Sequence, residues 1–415
     1  MVSRLSRPSS LFSTALLAAA FSLPSLQFAH ADAPPERASV SFKFLDYRDN
    51  RSDYVDPATA ALPHGDDGVS GASGGGTGIQ AYTLRGMVPF ADSWSLATSV
   101  TYDSVSGASP TYHTSGLTPM TDSRTALDAQ LTRYMSHGSL IIGASHSGES
   151  DYVSNSLSLQ GNLSTADKNT TFTLGGSYTK DSIDMVNLTI DNSTGFEKVV
   201  PVKTGLTDSK TIYAVLGGIT RVMTKHDIVQ MNVGYSNGQG YYSDPYKLVD
   251  NRPRLRNNTT ALFRWNHHFS QQFTDGTARL SYRYYSDTYG IRSHTFDLEY
   301  VQPLSDGDWE MTPILRYYSQ NAADFYIPVV AGENFNLATH PVGTLTYYTE
   351  DPRLATFGAM TFGLKVVKRI DEDWTVDLKL EYYEQRPSWS MSSGIDANLD
   401  SYNARSIQVG VSRLL

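Results

Sequence analysis

The chain has 415 residues, no cysteine and a formal net charge of -9, which excludes disulfides, thiolate nucleophiles and cysteine-based metal sites and argues against nucleic acid as a partner. With 32 glycines, 26 tyrosines and 18% charged residues, and no linker or compositional break, it reads as one large all-β unit rather than several soluble domains. Beyond the N-terminal segment nothing approaches the ~18 apolar residues of a membrane helix, a test that barrel strands, weakly hydrophobic on average, do not meet either.

Residues 1–31 read as a secretory signal peptide. Arg4 and Arg7 are basic, Leu11 to Leu26 is apolar, and Ala29-His30-Ala31 offers a small-x-small cleavage site. The expected mature unit is residues 32–415. From about residue 37 alternating runs follow one another: 38–47, 79–89, 94–103, 125–135, 139–147, 153–163, 170–179, 210–221, 228–236, 259–269, 277–287, 293–303, 309–320, 354–367, 374–385 and 404–415. The fold class expected is a transmembrane antiparallel up-and-down β-barrel of about sixteen strands (14–18), the even count of bacterial barrels.

The connections alternate in length. Short ones (90–93, 136–138, 164–169, 222–227, 270–276, 304–308, 368–373) face mostly long ones (48–78, 104–124, 180–209, 237–258, 321–353, 386–403), with brief members at 148–152 and 288–292. Outer-membrane barrels have short periplasmic turns and longer extracellular loops. The first long loop carries His64, Asp66 and Asp67 before Gly71 to Gly78. Aspartate oxygens suit calcium, but the spacing matches no metal loop, so solvated surface is expected and no metal or cofactor is assigned.

Trp94 and Tyr102, Trp309 and Tyr317, and Trp374 and Tyr382 repeat one spacing, each Trp just after an acidic turn. Eight residues is an even interval, so both rings share a strand face, ~26 Å apart along it. Strand tilt brings that close to the ~25 Å apolar band between the two aromatic girdles of a membrane barrel. Between the rings one face is apolar (Met311, Pro313, Leu315; Val376, Leu378, Leu380) and the other polar. The Trp residues are expected at the periplasmic rim, and Tyr102, Tyr284, Tyr317 and Tyr382 at the outer one.

The polar parity places a charged wall in the lumen: Arg264, Arg279, Arg283, Asp297, Glu299, Arg316, Lys365, Asp377, Lys379 and Glu381. Counting across the turns sets Arg279 opposite Glu299, Asp297 opposite Arg316, and Lys365 opposite Asp377. Such pairs fix register at ~0.2–1 kcal/mol each or line an aqueous path as selectivity charges. Loop 321–353 is unusually apolar, with Phe325-Tyr326-Ile327-Pro328-Val329-Val330, Phe335, Leu337 and Tyr347-Tyr348. It is expected either to fold inward as a constriction or to pack on neighbouring loops or a partner. Arg252, Arg254 and Arg256 form a basic run for lipopolysaccharide phosphates or for water. His146, His267, His268 and His294 lie on strands with no nucleophile–base spacing, and no phosphate-loop, dinucleotide or zinc motif occurs. No enzyme is expected.

From about Tyr235 to Phe357 the sequence resembles the family catalogued as domain of unknown function 3570. The similar stretches are Asp244-Pro245-Tyr246-Lys247, Tyr282 to Ile291, Arg316-Tyr317-Tyr318 and Ala323-Asp324-Phe325-Tyr326, extended by Gly148-Glu149-Ser150-Asp151-Tyr152. The resemblance implies a Gram-negative outer-membrane barrel and hints at extracytoplasmic redox biology involving a small lipoprotein, a thioredoxin-like protein and a flavin transferase. It transfers no catalytic residue. The leading functional expectation is a porin-like channel or transport component for small polar solutes. A non-conducting scaffold for redox or flavin-related partners comes second, and a rim-located hydrolase third. Lipid, lipopolysaccharide and the barrel-assembly machinery are the expected partners.

Overall fold

The computed structural model describes residues 33–50, 77–112, 115–191, 198–244, 250–270, 275–304, 307–328, 345–394 and 399–415. The signal segment, the histidine–aspartate–glycine loop, and Val329, Val330, Phe335 and Leu337 lie outside them. Along the chain the strands are β1 (Ser39–Asp49), β2 (Gly78–Phe90), β3 (Trp94–Tyr112), β4 (Ser115–Met135), β5 (Gly138–Gly148), β6 (Tyr152–Ser164), β7 (Thr170–Asp191), β8 (Lys198–Val222) and β9 (Asp227–Gly240). There follow β10 (Asp250–Asn251), β11 (Leu255–His268), β12 (Thr277–Asp287), β13 (Arg292–Leu304), β14 (Trp309–Gln320), β15 (Tyr348–Thr349), β16 (Phe357–Arg369), β17 (Trp374–Arg386) and β18 (Tyr402–Leu414).

All but β10 and β15 join one closed antiparallel barrel in chain order, and β1 closes on β18 with Ser39 opposite Leu414. Closure removes every sheet edge, which a spanning sheet requires because lipid offers no partner to a free backbone group. Arg37 secures the seam, donating to the carbonyls of Leu414 and Leu415 at 3.3 Å and to Asp373 at 2.5 Å.

The side chains divide as alternation dictates. One parity is apolar and open: Leu84 is 53% exposed, Val233 58% and Leu174 72%. Leucines so exposed on every side would drive aggregation in water, whereas in a bilayer they face hydrocarbon. The opposite parity turns into the barrel and is mostly polar. The buried apolar clusters form no central core. Leu45, Ile79, Ala81 and Val105 meet at the outer ends of β1 to β3, and the other two clusters involve loops above β12 to β17. A soluble sandwich would instead bury its apolar face between sheets.

Two expected loops prove to be strand. The segments 104–124 and 180–209 continue the ladders of β3–β4 and β7–β8, pairing as far as Tyr112 with Ser115 and Asp191 with Lys198. The register shifts once, between Asp184 and Val186. The end of the apolar band marks where lipid ends, but β-branched residues such as Val199, Val200 and Val202 keep favouring extended backbone beyond it. The run expected from residue 354 begins as strand at Phe357, because Pro352–Leu354 form a 3-10 turn capped by Asp351.

Candidate functional site: the lumen wall and its outer mouth

Successive strands stack the inward charges into rows. Arg264 lies opposite Ser281, Ser281 opposite Asp297, Asp297 opposite Arg316, and Arg316 opposite Thr361. Asp297 accepts from Arg316 and, at 3.2 Å, from the Ser281 hydroxyl. One step toward the periplasm Arg279 faces Glu299 at 3.6 Å. One step outward Arg283 faces Thr295, its guanidinium 3.5 Å from the hydroxyl.

The count fails at the third pair. Lys365 stands opposite Lys379, and Asp377 opposite Val367. The cause is the turn: Asp371 accepts from the amides of Asp373 at 2.9 Å and Trp374 at 2.7 Å. That side-chain turn centres the hairpin one residue later and slides the pairing by two. Lys379 resolves the like-charge juxtaposition by turning to Glu381 at 2.8 Å. Asp377 leans into the space left by Gly410, where a Cβ would lie 2.3 Å from its carboxylate. Lys43 and Arg85 share this inward parity on β1 and β2. Sequence reasoning passed over both, although alternation with Phe42, Phe44, Tyr82 and Leu84 was signal enough.

The wall of β5 to β8 is different. On β5 to β7 its inward residues are mostly small hydroxyls and amides, while Ile212 and Leu216 share the inward parity on β8: Thr179 donates to Ser156 at 3.0 Å, Thr173 to Asn162 at 2.9 Å, and Asn162 to Ser139 at 3.0 Å.

Above β9 to β17 the outer loops fold into a cap. β10 pairs with β15, joining the loop after β9 to the loop after β14, and Tyr326 bridges to Thr349. Beneath this small sheet runs a buried ionic network. Arg252 donates to Asp250 at 2.9 Å and to Asp351 at 2.7 Å, and Arg353 reaches Asp351 at 2.8 Å and Asp244 at 2.6 Å. Asp250 and Asp351 have no exposed side-chain surface. Burial pulls the Arg353 guanidinium down, but Asp351 and Asp244 outweigh it and hold the group above its ordinary range. Burial pushes Glu350 up to about 7. The expected basic run is therefore no phosphate patch: Arg254 forks onto Asp208 at 2.8 and 2.7 Å, and Arg256 binds Asp287 at 2.7 Å.

The described part of the apolar loop turns inward. Tyr326 packs against the cluster of Ala355, Phe357 and Leu399, as does Tyr318 from the lumen parity of β14, and Phe325 meets Tyr289 edge-on with centroids 5.0 Å apart. Gly290 sits at φ +83°, and a Cβ there would lie 2.1 Å from the Asp324 carboxylate. Only glycine meets both demands.

Over β3 to β8 the mouth is built from pairs inside the barrel's own ladder. Arg124 binds Asp103 at 2.8 Å. Asp181 accepts from Tyr152 and lies 3.1 Å from Lys210, whose ammonium sits over the rings of Tyr152 and Tyr242. In the tight β5–β6 turn both Glu149 oxygens are enclosed without a hydrogen bond. Burial first, then the charge of Asp122, pushes this carboxyl up to about 8.

At the opposite rim the three Trp residues each stand directly across from a cation. Arg133 lies over Trp94 at 5.1 Å, Lys368 over Trp309 at 4.7 Å, and Arg413 over Trp374 at 5.1 Å. Trp265 joins them near the β11–β12 turn, donating to Asp227 at 2.9 Å. Three strand histidines occupy the outward face, where His146 meets Asn155, His267 meets Asp227, and His294 meets Tyr282, each at 2.8 Å, while His268, at the end of β11, has the opposite parity and meets Thr277 at 3.2 Å. Among the described residues no group of His, Asp and Glu is placed to hold a metal ion.

A closed barrel with an apolar outer band, a polar interior and aromatic rims is a transmembrane β-barrel. The chain belongs to the family described as Protein of unknown function (DUF3570), whose model matches residues 111–406. Most of the stretches that carried the resemblance meet at the outer mouth: Glu149 to Tyr152, Tyr282 to Ile291, Tyr318, and Ala323 to Tyr326. No curated protein matches the sequence. Among solved structures it is similar to a bacterial polysaccharide outer membrane secretin, with TM-score 0.47 and 8% identity over 91% of this chain and 98% of that one. It is also similar to Pseudomonas aeruginosa OccK2 (OpdF) in complex with glucuronate, with TM-score 0.43 and 10% identity over 91% and 98%. A FadL homologue from the same organism gives TM-score 0.38 and 12% identity over 91% and 90%.

Proposed function

We propose that the protein is a channel for small polar solutes in the outer membrane of a Gram-negative bacterium. One observation carries this reading: among the described residues the inward face is mostly polar, ion-paired across β11 to β17 and rich in hydroxyls and amides across β5 to β7, with isolated apolar side chains such as Leu216 and Ile314 but no apolar core between. Barrels of sixteen strands enclose more space than their side chains fill and leave an aqueous path. Charged groups on such a path act on a passing solute through the local potential.

The inward-turned cap supports a second reading, a non-conducting scaffold whose mouth is closed and which holds a small lipoprotein or redox and flavin-related proteins. Reconstitution in planar bilayers separates the two. The channel reading expects stepwise currents from wild type, and larger ones after deletion of 325–348. Correctly folded wild type and deletion that both stay silent would retire it and promote the scaffold, for which copurification of a lipoprotein or flavoprotein is the positive sign. Neither reading assigns a catalytic residue.

A further inference from the structure

Resting on the channel reading, we infer that the lumen selects small organic anions, and that Arg264 and Arg283, set around Ser281, form the subsite that takes their carboxylate or phosphate group.

The pairing pattern leads there. On the inward face of β11 to β14, Arg316 takes Asp297 and Arg279 faces Glu299. Among the described residues Arg264 and Arg283 are hydrogen-bonded to no carboxylate: Arg264 donates to the Gln230 amide oxygen at 3.1 Å, and Arg283 to the Thr295 hydroxyl at 3.5 Å. Register converges them. Ser281 lies opposite Arg264, and Arg279 and Arg283 flank Ser281 on the same face of β12. A guanidinium presents five N–H donors in a rigid fork that matches carboxylate and phosphate oxygens. One neutral acceptor each leaves most of both forks unused, beside the hydroxyls of Ser281 and Thr295.

The sign of the wall is not inherited from composition, since the chain carries a net charge of -9. Lys43, Arg85 and Lys365 add further inward cations, none of them within an ion pair among the described residues. Inward carboxylates without a cation do occur. Asp128 accepts from Ser99 at 3.3 Å, and Glu310 and Asp377 stand on β14 and β17. None belongs to β11 or β12, and although Asp297 and Glu299 lie close enough to act on Arg264, each is engaged by Arg316 or Arg279, so four guanidiniums face two carboxylates and the cluster keeps a net positive field that attracts an anion and repels a cation.

The test measures reversal potentials in planar bilayers under a KCl gradient, then block of the current by gluconate and, separately, by inorganic phosphate. Wild type should prefer chloride over potassium and be blocked by one or both probes, which tells carboxylate from phosphate recognition. In Arg264→Ser/Arg283→Ser the permeability ratio should fall by roughly threefold or more and the block should vanish. Arg264→Lys/Arg283→Lys should keep the anion preference and weaken the block, because lysine retains charge without the fork. Heat-modifiable gel mobility checks that each variant is folded. A wild type that conducts but prefers potassium, or a serine variant with unchanged selectivity and block, overturns the inference while the channel stands. A silent wild type fails the channel reading, and calorimetric titration of both probes into the detergent-solubilised protein then decides the subsite. Binding lost in the serine variant upholds it, and absent binding to wild type overturns it.

Discussion

On the side of β3 to β8 the outer end of the barrel rises as paired hairpins. On the side of β9 to β17 it folds over as a cap. Both arrangements end strands above the membrane, and each meets the same demand, that backbone polar groups find partners. The hairpins answer it locally: β7 and β8 pair residue by residue out to Asp191 and Lys198, and water can replace any rung that opens. The cap leaves the ladder and must satisfy itself with side chains, so Asp244, Asp250, Arg252, Asp351 and Arg353 are brought together beneath the β10–β15 pair. A self-supporting ladder tolerates loss, whereas a buried ionic network does not.

The sharpest way to break the comparison is Asp351→Ala. The substitution strips Arg252 of one carboxylate and Arg353 of its nearer one in a site with no exposed Asp351 side-chain surface. Breaking a buried pair by removing one partner costs about 3–5 kcal/mol. The cost should fall on the cap alone. Hydrogen exchange should accelerate over 250–256 and 345–356, while β3 to β8 keep wild-type protection. Shortening the β3–β4 hairpin to a tight turn between Gly107 and Met120, which keeps Val105 and Asp122, should leave both regions unchanged. Equal loosening of both halves by Asp351→Ala would mean that the cap and the hairpins are one cooperative unit.

The next effect lies on the hairpin side and depends on pH. Glu149 faces Asp122, Asp103 and Asp151 together with Arg124. Its carboxyl is raised from 4.5 to about 8 in the folded protein, so the folded state binds the proton more tightly than the unfolded one. Stability from this group is complete below the unfolded value and declines as pH rises through the folded one. Local protection of 148–152 should therefore fall between about pH 4.5 and pH 8. Glu149→Gln should flatten that dependence and hold protection near its acid value. A wild-type profile flat across the window would contradict the enclosure of this group. The cap should lose protection over a narrower window, between about pH 4.5 and pH 7, because there burial raises Glu350 to about 7.

What the sequence revealed follows the same division. Every barrel strand was legible, because each apolar parity must meet lipid and each hairpin must reverse. The rows Arg279–Glu299 and Asp297–Arg316 could be counted because the register across these strands follows from strand length and the short connections between them. Lys365 and Asp377 could not, because an Asp371 side chain rather than strand length sets that hairpin's centre. The cap was illegible for a deeper reason. Arg252 and Asp351 are 99 residues apart, and nothing periodic links them. The basic run looked like a solvated patch because, apart from Asp250, its carboxylates (Asp208, Asp287 and Asp351) lie in other segments.

The smallest expected effect tests where the two halves are alike. At the periplasmic rim Trp94 with Arg133 belongs to the hairpin side, and Trp309 with Lys368 to the capped side, yet both are the same unit, a ring that opens a strand and a cation directly across the ladder. Ring and cation both lie at the bilayer interface, where an amphipathic ring is favoured and a cation over its face adds about 0.5–1 kcal/mol. Double-mutant cycles of Trp94→Leu with Arg133→Gln, and of Trp309→Leu with Lys368→Gln, should give coupling energies of that size, equal within error, in thermal unfolding from lipid vesicles. The single variants should leave exchange at the outer mouth untouched. Coupling confined to one pair would show that the difference between the halves runs the full height of the barrel, whereas equal coupling limits it to the ends that face the outside.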